Sequence, residues 1–232
     1  MIAENLEYVR KKIEESCKKA GRPVEEVTLI AVSKTKPVED LLEAITKGNQ
    51  TVFGENKVQE LGMKQEALAS YDLKWHMIGH LQRNKVKYLI GNTELIHSVD
   101  SLRLAQEIES ESAKKNVETN VLIEVNMAEE DSKFGVTGAG AEALIREIAA
   151  ECPHVKIKGL MTIAPYVEDP EENRPIFRAM KKLFVDIDKK NIDNVSMQIL
   201  SMGMTGDYCV AVEEGATMVR VGTGIFGDRN YS

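Results

Sequence analysis

The sequence is poor in the features that mark secreted, membrane-spanning and zinc-stabilised proteins. Its three cysteines, Cys17, Cys152 and Cys209, are an odd number without close pairing, and no CxxC or Cys/His spacing indicates structural zinc. The charged segment 1–21 lacks the apolar core of a signal peptide, and no apolar run approaches the length of a membrane span. We therefore expect a cytoplasmic protein in a reducing compartment.

A surplus of basic charge is also missing. The 37 Asp and Glu residues outnumber the 30 Lys and Arg residues, for a formal net charge of −7. Neutralising nucleic-acid phosphates or an anionic membrane surface needs the opposite balance, so we expect neither as the main partner. A local basic pocket for one small anion remains compatible with this composition.

Apolar, β-rich runs alternate with amphipathic helical segments along the chain, after a first helix with Ile2, Leu6, Val9, Ile13 and Cys17 on one face. Alternating units of this kind predict a parallel sheet covered by helices. About eight units favour a closed (β/α)8 TIM barrel with an extra N-terminal helix over an open doubly wound sheet. The strand candidates are VTLIAVS, TVFG, KWHMIG, ELIHSV, NVLIEVN, VKIKGLMTIA, VSMQILS and ATMVRVG, and a helix is predicted after each of them except the last.

Two parts of this prediction are weak: the short second strand and the irregular stretch 126–137. An open sheet would survive the loss of two strands from the count, whereas a barrel would not. No Gly/Ser linker or low-complexity segment interrupts the series. We therefore expect a single barrel domain over residues 1–232.

In a barrel the functional side chains lie at the carboxyl ends of the strands. The last two strands lead into SMGMTG and GTG, at the places where barrels commonly bind phosphate through backbone N–H groups and a short helix. These segments also offer the hydroxyls of Ser201, Thr205 and Thr223. Glycines after strands often make only turns, but two clusters at these two strands favour a phosphate site.

The first buried strand ends unexpectedly on a charge, Lys34. Many such lysines simply extend from the strand end into water. A lysine at the functional end of a barrel, opposite a phosphate site, is also where an amine could act as a nucleophile toward a carbonyl. Two chemistries fit: a Schiff-base aldolase acting on a phosphorylated sugar, and a Schiff base with pyridoxal 5′-phosphate (PLP).

Arg220 occupies an inward position of the last strand, because its neighbours Val219 and Val221 alternate away from it. A buried arginine needs a partner, and an ion pair with an acid such as Glu124 is one possibility. The other is donation to the pyridine nitrogen of PLP. Arginine keeps its proton, so that nitrogen would stay unprotonated and the ring would be a poorer electron sink.

Six ordered motifs resemble the pyridoxal-phosphate homeostasis proteins, also called the YggS or PROSC family, from about residue 4 to the C-terminus. They are AVSKTKP, FGENKVQE, WHMIGHLQRNK, GLMTIAP, LSMGMTGDY and VRVGTGIFG. The resemblance implies a barrel like the N-terminal domain of alanine racemase (fold type III of PLP proteins), without that enzyme's second, β-rich domain. Departures are small: Lys57 follows GEN where an aromatic residue or arginine is common, and Thr205 stands where serine is frequent.

The resemblance also implies roles for individual residues. Lys34 would hold PLP as a Schiff base, Arg220 would face the pyridine nitrogen, and a phosphate cradle and a pocket lining would complete the site. The cradle would comprise Ser201, Gly203, Thr205, Gly222 and Thr223, and the lining Asn56, His76, Met161 and Met202, the two methionines being equally suited to packing. Lys133, in DSKFG, could be a secondary PLP contact, although a solvated loop lysine is the simpler interpretation.

The function implied is a carrier that buffers or delivers PLP, with effects on amino-acid and keto-acid balance and with apo PLP-dependent enzymes as recipients. A racemase would need a second acid/base, which in alanine racemase is a tyrosine of the missing domain. Only Tyr166 and Tyr208 fall near predicted strand ends, and neither is a clear candidate. We therefore expect no clear catalytic activity. A low-activity amino-acid racemase and a cofactor-free aldolase remain alternatives, and the sequence leaves open a monomer or a homodimer.

Overall fold

A closed parallel barrel forms the centre of the computed structural model, which describes residues 1–130 and 134–228. Within the described residues the strands are β1 (Thr28–Val32), β2 (Val52–Glu55), β3 (Lys74–Met77), β4 (Leu95–Val99), β5 (Thr119–Asn126), β6 (Val136–Thr137), β7 (Val155–Met161), β8 (Val195–Met204) and β9 (Met218–Val221). The strands run in the order β4-β3-β2-β1-β9-β8-β7-β5, and β5 pairs back with β4 to close the ring. The predicted barrel is therefore confirmed.

The two weak parts of the prediction resolve differently. The second strand is short but genuine, with β2 paired to β1 on one side and to β3 on the other. The irregular stretch contains the two-residue strand β6, which pairs with the end of β5 outside the closed ring. Neither feature interrupts the barrel.

Helices cover the outside of the barrel. They are α1 (Ile2–Lys19), α2 (Val38–Thr46), α3 (Val58–Ala67), α4 (Leu102–Lys115), α5 (Ala141–Glu151), α6 (Arg174–Asp188), α7 (Tyr208–Glu213) and α8 (Thr223–Phe226). The expected N-terminal helix is α1, which packs its apolar face against α2, α7 and α8. Among the described residues no helix is both long enough and apolar enough to cross a membrane.

Two connections differ from the sequence-based expectation. After β3 the chain forms a 3₁₀ helix, Arg83–Tyr88, where the apolar spacing predicts an amphipathic α-helix. The last strand, which we expected to have no helix after it, leads into the four-residue α8.

The buried side chains form two separate layers. Most apolar residues lie between the barrel and its helices, as the outward positions of the strands require. The interior of the barrel holds a much smaller apolar cluster of Leu95, Leu122 and Met161, packed by Ile163, Ile199 and Met218. Polar side chains occupy much of the remaining interior, and they lead to the functional end.

Candidate functional site

A cavity of about 690 Å³ opens at the carboxyl ends of the strands. Its volume suits a ligand the size of a substituted aromatic ring with a phosphate. Its walls come from strand ends and from the loops that follow them, as expected for a barrel. Six of the eleven predicted site residues line it: Lys34, Asn56, Thr205, Arg220, Gly222 and Thr223.

Lys34 enters this cavity from the end of β1. The strand is buried up to Ser33, and Lys34 is the first partly exposed residue after it. The chain then turns sharply, because Thr35 adopts a left-handed φ of 64°. Pro37 caps the start of α2 two residues later, so the backbone leaves the cavity immediately after the lysine.

Arg220 forms the floor of the cavity and is 3% exposed. Its Nη1 donates to Ser201 Oγ at 2.6 Å, and its Nη2 donates to the Thr162 carbonyl at 2.9 Å. In the described part of the chain no carboxylate forms a salt bridge with this guanidinium, so the ion pair with Glu124 is not seen. Burial lowers the pKa of Arg220 to about 10, a change that the negative charge of Glu124 partly opposes. The side chain therefore stays protonated at neutral pH.

A chain of hydrogen bonds continues from Arg220 into the barrel. Ser201 Oγ lies 3.0 Å from His97 Nδ1, and His97 Nε2 lies 2.9 Å from His76 Nδ1. Burial lowers the pKa of His76 to about 4 and the pKa of His97 well below 6.5, so both rings are neutral. Arg220 donates to Ser201, and two tautomer patterns complete the chain: Ser201 donates to His97 and His97 to His76, or His76 donates to His97 and His97 to Ser201.

The loops after β8 and β9 are joined through one hydroxyl group. Thr205 Oγ1 accepts from the N–H groups of Gly222 and Gly224, both at 3.3 Å. The N–H groups of Thr205, Gly206 and Thr223 have no hydrogen-bond partner among the described residues, and all three residues line the cavity. Clustered N–H groups without acceptors are suited to binding a phosphate.

Five predicted site residues do not line the cavity. His76 and Ser201 belong to the hydrogen-bond chain beneath Arg220. Met161 packs in the interior cluster, and Met202 packs in the outer layer between barrel and helices. Gly203 allows β8 to approach α7, where a Cβ on this residue would lie 2.6 Å from the Cβ of Ala211. Ligand-contacting roles for these five residues stay predictions.

Comparison with known proteins gives a consistent result over nearly the whole chain. The sequence pattern of the family described as "Alanine racemase, N-terminal domain" matches residues 4–230. A pyridoxal phosphate homeostasis protein of Aquifex aeolicus is 47% identical over 228 residues, which cover 98% of each chain. The chain belongs to the pyridoxal phosphate homeostasis protein family.

Solved structures with the same fold include relatives of this protein and more distant enzymes. PipY of Synechococcus elongatus has been solved without PLP and with PLP bound, and the two structures match at TM-scores of 0.86 and 0.84 with 34% and 33% identity. The matches cover 98% of this chain and 100% of PipY. An alanine racemase of Clostridium difficile has the same barrel at a TM-score of 0.73 and 16% identity, with 58% of its chain covered.

The tyrosines of this homeostasis-family protein lie in different environments. Tyr166 lines the outer part of the cavity and is 95% exposed. Tyr208 is buried in the outer layer, and burial raises its pKa. Lys133, the predicted secondary contact, lies outside the described residues.

Several residues that shape the site were not among the predicted ones. Thr162 and His97 contact the Arg220 network, while Asp207 accepts from the Met204 N–H at 2.7 Å and from Asn173 Nδ2 at 2.9 Å. His97 could have been predicted from the sequence, because it is a polar residue at an inward position of a buried strand, as Arg220 is. The contact between Asp207 and Asn173 joins segments that are distant in the sequence, so no local pattern predicts it.

Proposed function

We propose that this protein binds PLP covalently through Lys34 and acts in PLP homeostasis by holding, buffering or delivering the cofactor. One observation carries the proposal: a single cavity contains an amine, a cluster of N–H groups without acceptors and a buried guanidinium. These groups complement the aldehyde, the phosphate and the pyridine nitrogen of PLP. Two relatives support it by name, the Aquifex aeolicus homeostasis protein and PipY solved with PLP bound.

Each group has a defined task in holding the cofactor. The Lys34 amine attacks the aldehyde carbon, a C=N bond forms, and the aldehyde oxygen leaves as water. The N–H groups of Thr205, Gly206 and Thr223 donate to the phosphate oxygens, with the Thr223 and Thr205 hydroxyls beside them. Arg220, fixed by Ser201 and Thr162, presents a permanent positive charge to the ring nitrogen.

The same residues limit what the bound cofactor can do. PLP supplies an electron sink for carbanions when its ring nitrogen is protonated. Arg220 donates its own hydrogen and does not give up its proton, since even with a pKa of about 10 it stays charged at neutral pH. This arrangement favours holding the cofactor over driving carbanion chemistry with it.

The direct test is to add PLP to the purified protein, reduce with borohydride and locate the modified lysine by mass spectrometry. Before reduction we expect one visible chromophore per chain, and after reduction we expect the modified residue to be Lys34. Both signals should be lost in Lys34→Ala. Lys57→Ala, which removes an exposed lysine beside Asn56, is the matched control and should keep the chromophore. An equally reducible adduct in Lys34→Ala would show that Lys34 is not the site.

Two further measurements separate carrier from enzyme. Loaded protein mixed with an apo PLP-dependent enzyme should restore its activity, compared with free PLP at equal concentration. Incubation with a pure L-amino acid should give no sustained formation of the D-enantiomer. Sustained racemisation that is lost in Tyr166→Phe would make Tyr166 the second acid/base and would overturn the carrier function.

A further inference from the structure

A buried ion-pair network lies directly beneath Lys34. Its centre is Lys64 on α3, whose side chain is 1% exposed. The Lys64 ammonium donates to Glu55 Oε1 at 2.7 Å, to Glu60 Oε1 at 2.8 Å and to the Ser33 carbonyl at 2.6 Å. All three hydrogens of a buried ammonium are therefore satisfied, which is the condition for keeping such a charge inside a protein.

The network also holds the peptide groups on either side of Lys34. The Ser33 carbonyl belongs to the peptide bond between Ser33 and Lys34, and Lys64 holds it. The Thr35 N–H belongs to the peptide bond between Lys34 and Thr35, and it donates to Glu60 Oε1 at 2.6 Å. Fixing both flanking peptide planes fixes the φ and ψ of Lys34, and with them the direction in which its side chain leaves the backbone.

The conformation held in this way is one that the chain does not adopt readily. Thr35 is β-branched and has a left-handed φ of 64°. Such a conformation is uncommon for a β-branched residue and persists only where surrounding contacts impose it. The hydrogen bond from its own N–H to Glu60 is a contact of that kind.

The network also reaches the end of the neighbouring strand. Glu55, the last residue of β2, is fully buried, and its Oε1 accepts from Ser33 Oγ at 2.5 Å as well as from Lys64. The next residue is Asn56, which lines the cavity. Glu55 Oε2 is buried without a hydrogen-bond partner. Buried ion pairs of this kind are weak contributors to stability, so a role in fixing geometry accounts for the network better than stability does.

We propose that Lys64, with Glu55 and Glu60, is a positioning group that sets the orientation of Lys34 for covalent binding of the cofactor. The inference rests on the proposed function and deepens it. Lys64 and Glu60 do not touch the cofactor; they act through the two peptide groups that flank Lys34. Loss of Lys64 or Glu60 should leave Lys34 present but with its side chain less well oriented toward the cofactor.

The test compares Glu60→Ala, Lys64→Met and Glu60→Gln with the wild type. Glu60→Ala removes the acceptor for the Thr35 N–H from a partly exposed helix position, so the protein should fold. We expect it to bind PLP about 10-fold more weakly, as loss of a charged hydrogen bond predicts. The visible circular dichroism per bound chromophore should also fall, because the chromophore is less fixed. Glu60→Gln keeps an acceptor oxygen and should recover most of both signals.

A matched control separates positioning from stability. Arg10→Met also removes a cation that donates to a backbone carbonyl, Gly48 at 2.6 Å, but near the opposite end of the barrel. It should lower the unfolding temperature without changing PLP affinity or circular dichroism. Lys64→Met should change the unfolding temperature, the PLP affinity and the circular dichroism. In the apo protein, Glu60→Ala should speed hydrogen exchange of the Thr35 amide.

The outcomes distinguish this inference from the proposed function. A wild-type protein without a reducible adduct at Lys34 overturns both. A wild-type adduct together with unchanged affinity, circular dichroism and amide exchange in Glu60→Ala and Lys64→Met overturns only the positioning role. Equal losses in Arg10→Met would also overturn it, because the effect would then follow stability alone.

Discussion

Replacing Glu124 with glutamine should change how the stability of the protein depends on pH. Glu124 lies on β5 inside the barrel and is 5% exposed. Burial raises the pKa of its carboxyl group from 4.5 to about 7, the negative charge of Asp100 adds to this, and the positive charge of Arg220 opposes it. The folded protein therefore holds a proton here over a range of pH in which the unfolded chain has released it.

The sign of the effect follows from this difference in proton binding. Between pH 4.5 and about 7 the folded state binds more protons than the unfolded state, so the free energy of unfolding falls as the pH rises. A pKa raised from 4.5 to about 7 corresponds to about 3 kcal/mol of stability lost across that range. Glutamine cannot titrate, so Glu124→Gln should regain about 3 kcal/mol relative to the wild type between pH 4.5 and 8.

Urea unfolding of both apo proteins at several pH values between 4.5 and 8 measures this. The difference between the two profiles is the useful quantity, because His76 and His97 titrate in the opposite sense. Their pKa values are lowered by burial, so their contribution is lost as the pH falls below 6.5, and it cancels in the comparison. A difference between variant and wild type that is constant with pH would refute the reasoning.

Three other predictions follow from single contacts. Arg220→Lys cannot make both hydrogen bonds of the guanidinium, so PLP affinity should fall at least about 10-fold in an absorbance titration, and unchanged affinity would contradict the proposed role. Gly203→Ala places a Cβ 2.6 Å from that of Ala211 at a φ of 95°, and should lower the free energy of unfolding by about 2 kcal/mol in urea; a loss near zero would show that α7 moves freely. Cys152 is fully buried, and burial raises its thiol pKa to about 11. A thiol reagent at pH 8 should therefore label the partly exposed Cys209 before Cys152. Equal labelling rates of the two cysteines in the folded protein would contradict the packing of Cys152.

The barrel could be predicted because its signals are local. Each strand is a short apolar run, each helix has one apolar stripe, and the regular alternation leaves few ways to arrange them. The exceptions are two short segments. Arg83–Tyr88 has the spacing of an amphipathic α-helix but forms a 3₁₀ helix, and Val136–Thr137 is too short to be recognised as a strand.

The candidate site likewise contains residues that could be placed from the sequence and residues that could not. Lys34, Asn56 and Arg220 could be placed in the cavity because strand alternation and strand ends fix their positions. Met202 could not be placed so well, since the motif that contains it does not show which face of β8 it occupies. It packs outward against the helices. Roles in direct cofactor binding remain predictions for all of these residues.

Lys64 shows why contacts between elements escape such an argument. It lies in a charged, unremarkable helix, and only its spacing from Leu61 and Leu68 places it on the buried stripe. That spacing indicates a buried lysine but not its partners, because Glu55 and the Ser33 carbonyl belong to other elements. The contacts that hold the peptide groups on both sides of Lys34 therefore come from other elements, and no local pattern predicts them.

A carrier of a reactive aldehyde must hold it in a fixed geometry and yet not use it. In the proposed function, fixing the backbone of Lys34 through the Lys64 network would favour formation of the covalent bond and so keep the aldehyde from other amines. The permanent charge of Arg220 would keep the ring a weak electron sink, and the neutral chain of Ser201, His97 and His76 beneath it would offer no acid strong enough to protonate the ring. Separate groups of residues would then set the position of the cofactor and its activation, so Glu60→Ala should weaken the positioning without changing the activation.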